Sequence, residues 1–200
     1  GDILGRWQFG KESMGLDSVP LLASSKVLDA VCARGLEVPF ETTIVESSLP
    51  FTPSKGCGFQ YTLLPVPHRD EDSDTHAILI SGPNKSLLFL PDHDNWGETL
   101  GLYGAKDVRS WLLELGVDIA LIDGTFWDEG ELPGRDMTQI PHPTVSETLE
   151  RIGKRENGDP DVIFIHLNHT NPLVDESSDQ KRRVGELGWG VARQSAVLEL

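Results

Sequence analysis

Three short apolar runs constrain this chain most: Leu87-Leu88-Phe89-Leu90, Ile119-Ala120-Leu121-Ile122 and Val162-Ile163-Phe164-Ile165. None alternates with polar residues, so each reads as a strand covered on both faces. Within two residues each run reaches a side chain able to bind a metal or move a proton: Asp92, Asp123 and His166. Ligands and chemistry gather beyond the carboxyl ends of such strands, and the repetition predicts one site built from strand ends. A fourth run, Ala77-Ile78-Leu79-Ile80, joins the first through Ser81-Gly82-Pro83-Asn84-Lys85-Ser86, a composition that turns a chain. The resulting β-hairpin places His68 at the same end of a sheet as Asp92.

The rest of the chain is read around this frame. A short apolar segment at 19–23 precedes Ser24-Ser25, a good N-cap for a helix over 26–34 that Gly35 ends. Residues 3–14 have roughly helical spacing, and 38–66 are broken into strands and turns by Pro50, Pro53, Gly56, Gly58 and Pro65. Helices are expected over 106–115, closed by Gly116, over 144–152, with Thr144 and Glu147 as a capping box, and over 176–187, stopped by Gly188. A strand is expected over 191–200. Residues 123–143 are long, polar and punctuated by Gly and Pro, the character of a functional loop.

At 200 residues and 38% hydrophobic, the chain can bury one sizeable core, and no repeat or linker divides it. Its net charge of −15 argues against a general nucleic-acid or anionic-membrane binder, because phosphate contact needs a basic footprint. Cys32 and Cys57 form no metal-type pair, no apolar run approaches the roughly 20 residues of a membrane span, and a reducing, cytoplasmic setting is expected.

All six histidines lie between His68 and His169. His68, Asp92 and His166 together offer the imidazole and carboxylate ligands of a hydrolytic metal site, with a position left for a water whose pKa the metal lowers. His93, Asp94 and His169 are near duplicates of these, and spacing does not decide which of each pair points inward. His142, between Pro141 and Pro143, is a candidate general acid or a surface residue in a fixed turn. Asp123 either orients a ligand from behind or caps a loop. His76 reads as a strand cap, and Asn168-His169-Thr170-Asn171 either positions an anion or builds Asx-turns.

Five segments, in order, resemble the metallo-β-lactamase superfamily: Val66-Pro67-His68-Arg69-Asp70-Glu71, Phe89-Leu90-Pro91-Asp92-His93-Asp94, Asp123-Gly124-Thr125-Phe126-Trp127, Ile140-Pro141-His142-Pro143 and Ile165-His166-Leu167-Asn168-His169-Thr170-Asn171-Pro172. The branch they resemble is that of coenzyme PQQ synthesis protein B and similar metallo-hydrolases. The resemblance implies an α/β sandwich of four layers, αββα, with residues 1–200 forming one domain, the C-terminal two-thirds of that fold. It implies zinc, two ions in a complete protein, with iron or manganese as substitutes. By position His68, Asp92 and His166 resemble metal ligands, Asp92 the bridging one, and His142 resembles the histidine beside the leaving group. The family's His-x-His-x-Asp-His motif has only Gly1-Asp2 opposite its last two positions, so Asp2 is the expected carboxylate ligand there. The implied activity is hydrolysis of a small-molecule ester, phosphodiester or similar bond by metal-bound hydroxide. The alternative is a non-enzymatic binding or carrier module of the same fold. An exposed sheet edge would favour pairing into a homodimer.

Overall fold

The computed structural model describes residues 15, 18–35, 40–69, 71, 73–134 and 140–200. The expected helix over 3–14 and the expected ligand Asp2 lie outside them. β1 (Val19–Ala23), α1 (Ser25–Ala33) and β2 (Phe40–Ile44) form a small unit in which the two strands pair in parallel. Ser24 caps α1 as expected, its hydroxyl accepting from the Val27 N–H.

The larger sheet has seven strands in chain order: β3 (Pro50–Phe51), β4 (Gln60–Pro65), β5 (His76–Ser81), β6 (Ser86–Leu90), β7 (Ile119–Asp123), β8 (Asp161–Ile165) and β9 (Gly190–Val191). Pairing is antiparallel from β3 to β6 and parallel from β6 to β9. Connection length sets the switch, because a short turn reverses the chain between β5 and β6 whereas parallel neighbours need a crossover. The crossovers carry α2 (Trp96–Tyr103), α3 (Val108–Leu115), α4 (Val145–Ile152) and α5 (Asp179–Glu186).

One face of this sheet meets the helices. Leu64, Ala77, Leu88, Leu90, Ala120, Ile122, Val162 and Phe164 share a single core with Trp96, Trp111, Val145, Leu149 and Val184. Trp96 is wholly buried and donates its indole N–H to Thr148 on α4 at 2.8 Å, which ties α2 to α4.

Four local differences from the sequence expectation have physical causes. No helix is expected over 96–103, where Gly97 and Gly101 lower propensity; α2 forms because Asn95 caps it and its Trp96 and Leu100 are buried in the core. The reciprocal capping box belongs to α3, between Asp107 and Ser110. At α4 the Thr144 hydroxyl accepts from the Glu147 N–H, while the Glu147 carboxylate pairs with Arg151 instead. α5 begins at Asp179 rather than 176, after Ser178 caps it. The expected strand over 191–200 is reduced to Gly190–Val191, because a turn closed from Ala196 N–H to the Arg193 carbonyl, with Ser195 at φ 62°, takes the chain out of the extended range.

Candidate metal centre

The site residues leave the sheet at one edge. β6, β7 and β8 run in parallel, so Asp92, Asp123 and His166 emerge together. β4 is antiparallel to β5, with Pro65 opposite His76, and this brings His68 to the same edge. Two bonds fix the His68 segment against its neighbours: the Thr75 hydroxyl donates to the His68 carbonyl at 2.7 Å, and the Asp94 N–H donates to the Pro67 carbonyl at 2.7 Å.

Gly124 is required by close approach. Its N–H donates to the Ile165 carbonyl, and a Cβ at this position would sit 2.9 Å from that oxygen and 3.0 Å from Phe164 Cβ. The loop after β8 begins with His166 at φ 60°, a left-handed conformation that costs a non-glycine residue on the order of 1 kcal/mol or more. Buried Asn171 holds this loop by donating to the Gly124 carbonyl at 2.7 Å and accepting from the Leu173 N–H at 2.9 Å. The Asn-rich turn is thus an Asx-turn serving the loop.

Around the edge, Asp92 Oδ1 lies 3.6 Å from His166 Nδ1, 3.8 Å from His142 Nδ1 and 4.0 Å from His68 Nε2. These separations exceed hydrogen-bond range. Of these, the 4.0 Å between Asp92 Oδ1 and His68 Nε2 is somewhat longer than the roughly 3.4 Å that a tetrahedral ion with bonds near 2.1 Å imposes between its ligand atoms. His68, Asp92 and His142 each offer a ligand atom within 4.8 Å of the others, and so do Asp123, His142 and His166. His68 Nδ1 and Asp94 Oδ1 are 3.2 Å apart but misaligned, so both remain buried without a hydrogen bond. Imidazoles and carboxylates converging at one edge, with His68 Nδ1 and Asp94 Oδ1 buried and unpartnered, fit a divalent metal of the zinc, iron or manganese type.

Behind this shell, the Asp123 carboxylate is fully buried. Its Oδ2 accepts from His142 Nδ1 at 2.7 Å, and its Oδ1 accepts from the Thr125 N–H at 2.9 Å and the Thr125 hydroxyl at 2.7 Å. Asp123 therefore orients His142, leaving the other imidazole nitrogen free. Burial pushes the His142 pKa down, but the hydrogen bond and charge of Asp123, with the charge of Asp92, more than offset it, and the net shift is upward.

The remaining candidates fall outside. His93 is wholly buried, with Nδ1 2.9 Å from the Thr99 hydroxyl and its ring edge-on to Trp96. His169 is exposed and belongs to neither ligand group among the described residues. His76 Nε2 lies 2.7 Å from the Ser47 hydroxyl at the start of β5. Thr125 was not singled out by spacing; its place between two ligand-bearing strand ends is visible only once β7 and β8 are paired.

A cavity of about 790 Å³ opens beside His142 and Asp94. Asp94, Glu98, Asp128, Glu129, Glu147 and Glu150 line it, and no Lys or Arg does so among the described residues.

No protein-family model matches the sequence. It is 31% identical over 146 residues to coenzyme PQQ synthesis protein B of Pseudomonas entomophila, covering 67% of this chain and 44% of that protein. It is 29% identical over 177 residues to the protein of the same name from Klebsiella pneumoniae, covering 76% and 52%. The chain therefore spans about half the length of these curated relatives. Among solved structures, zinc-bound PqqB from Methylobacterium extorquens superposes with a TM-score of 0.68 at 21% identity, over 92% of this chain and 65% of that one. The metallo-beta-lactamase fold protein YhfI of Bacillus subtilis superposes with a TM-score of 0.60 at 16% identity, over 94% of this chain and 67% of that one, so the chain has the metallo-β-lactamase fold. Its sequence is similar to that of coenzyme PQQ synthesis protein B.

Proposed function

We propose that this chain carries part of the active site of a metal-dependent hydrolase acting on a small molecule, in the manner of a relative of coenzyme PQQ synthesis protein B. The observation that supports it is the convergence of His68, Asp92, His142 and His166 on one sheet edge, with Asp92 Oδ1 within 4.0 Å of three imidazoles. His68, Asp92 and His166 would hold the metal, zinc first, with Asp2 and a second ion completing the centre in the whole protein. Bound there, the metal would acidify a coordinated water and polarise the oxygen of an ester, phosphodiester or similar bond. The remaining work falls to the protein. His142, held by Asp123 and with its pKa raised, is suited to deliver a proton to the leaving group. Asp94 stands beside His68, its Oδ1 3.2 Å from His68 Nδ1.

The carboxylate-lined cavity disfavours a polyanion such as RNA or DNA, which supports a small-molecule substrate. Cys32 and Cys57 are both free thiols, which suits a cytoplasmic setting; no helix among the described residues is long and apolar enough to cross a membrane.

Metal titration is the test. Zinc at about 100 times its Kd should stabilise the chain by roughly 2.7 kcal/mol, and His68→Ala and Asp92→Ala should each abolish the effect. Unchanged metal stoichiometry in both variants would leave the fold without this site and favour a binding module.

A further inference from the structure

We infer that Thr125 is a positioning residue that fixes which nitrogen His166 offers to the site. A threonine hydroxyl has one proton, and the Asp123 carboxylate can only accept. At 2.7 Å, the Thr125 hydroxyl spends that proton on Asp123 Oδ1. Its 2.9 Å contact with His166 Nδ1 must then run the other way, with Nδ1–H donating to the Thr125 oxygen. The neutral His166 ring is thereby held with its proton on Nδ1 and its lone pair on Nε2. The 3.6 Å gap from Nδ1 to Asp92 Oδ1 is too long to compete. The 3.4 Å approach of Thr125 to His142 Nδ1 is the long arm of a contact whose short arm, 2.7 Å, goes to Asp123.

One buried carboxylate thus sets two imidazoles, His142 directly and His166 through a single hydroxyl. The backbone reinforces the arrangement. The Thr125 N–H also donates to Asp123 Oδ1, its carbonyl accepts from Asn168, and Gly124 alone permits the β7 and β8 ends to lie this close. The left-handed backbone of His166 aims its side chain back at Thr125. The hydrogen bond that one ring nitrogen makes sets which nitrogen carries the proton, so the Nδ1–H tautomer is a property of this hydroxyl.

The role of this lock in metal binding rests on the reading proposed above, and the test separates the two. In metal-free protein labelled with ¹⁵N-histidine, at about pH 8.5 where an ordinary imidazole is neutral, long-range ¹H–¹⁵N correlation reports the tautomer of His166, assigned by its loss in His166→Gln. The wild-type chain and Thr125→Ser should show Nδ1–H; Thr125→Val, which keeps the shape and removes the hydroxyl, should lose that preference. Zinc affinity should fall about 10- to 100-fold in Thr125→Val and less than about threefold in Thr125→Ser, the scale of losing an outer partner of a metal ligand. Nε2–H in the wild-type chain, or an unchanged tautomer in Thr125→Val, would overturn the inference whether or not zinc binds. Absence of zinc binding to every variant would overturn the metal reading and with it the lock's role in affinity, while the spectra still decide the lock itself.

Discussion

The two faces of the seven-stranded sheet are built from the same residue types and differ in what covers them. Toward the helices, Leu64, Ala77, Leu88, Leu90, Ala120, Ile122, Val162 and Phe164 are at most 5% exposed. On the other face Leu63, Ile78, Phe89, Leu121 and Ile163 stand in register across five strands, all partly open, with Phe89 36% exposed. Apart from Leu63 and Leu64 on β4, both rows belong to the same unalternated runs, and such runs read as strands covered twice. One face meets that reading fully and the other only in part. The contrast locates the stability of the described structure on the helix side and makes the open row a place where cover is still to be found.

The largest expected effect tests the covered face. Phe164→Ala removes a ring with no exposure from under the helices and should cost about 3–5 kcal/mol in urea unfolding. A loss near 1 kcal/mol would mean that the helix layer is loosely seated, and the contrast would collapse. Next is the histidine beneath that layer. Burial lowers the His93 pKa to about 4, against partial opposition from the Asp123 charge. The unfolded chain binds the proton at about 6.5, so between those values it holds more protons than the native state. Stability should therefore be full above pH 6.5, fall by on the order of 3 kcal/mol as pH drops toward 4, and level off below. His93→Gln should flatten this slope; an unchanged slope would mean that His93 is protonated in place. Third, Thr144→Ala removes the cap of α4 and should cost about 1 kcal/mol, read as a shift in urea midpoint without a change in slope.

How much of this could be read in advance depends on the range of the interaction. The β5–β6 hairpin, α1, α3 and α4 follow from turn residues, caps and periodicity, all local signals, and so did the gathering of Asp92, Asp123 and His166. α2 was hidden because its two glycines argue locally against a helix that the buried Trp96 supports from afar. His93 and His169 could not be told from their neighbours by spacing. What sets them apart is Thr99 and Trp96 for the first, and for the second a place outside both groups of converging ligand atoms among the described residues. Thr125 carried no signal at all, since a threonine after a glycine is ordinary; its role exists only because His166 arrives from 41 residues away.

The smallest expected effect tests the open face and decides what the contrast means. Phe89→Thr keeps a β-favouring residue at a position that is already about a third in water. It should cost about 1 kcal/mol, well below the Phe164→Ala loss, because less apolar area returns to solvent and no closed cavity is left. A cost equal to that of Phe164→Ala would mean that Phe89 is buried in solution. Protein concentration then identifies the cover. A loss that grows with concentration, together with a fall in apparent mass by light scattering, points to a second copy seated on this face and hence to a homodimer. A loss independent of concentration places the cover within the same chain. A small, concentration-independent cost leaves the five-strand row open to solvent, and the helix side alone then accounts for the stability of the sheet whose edge carries the site.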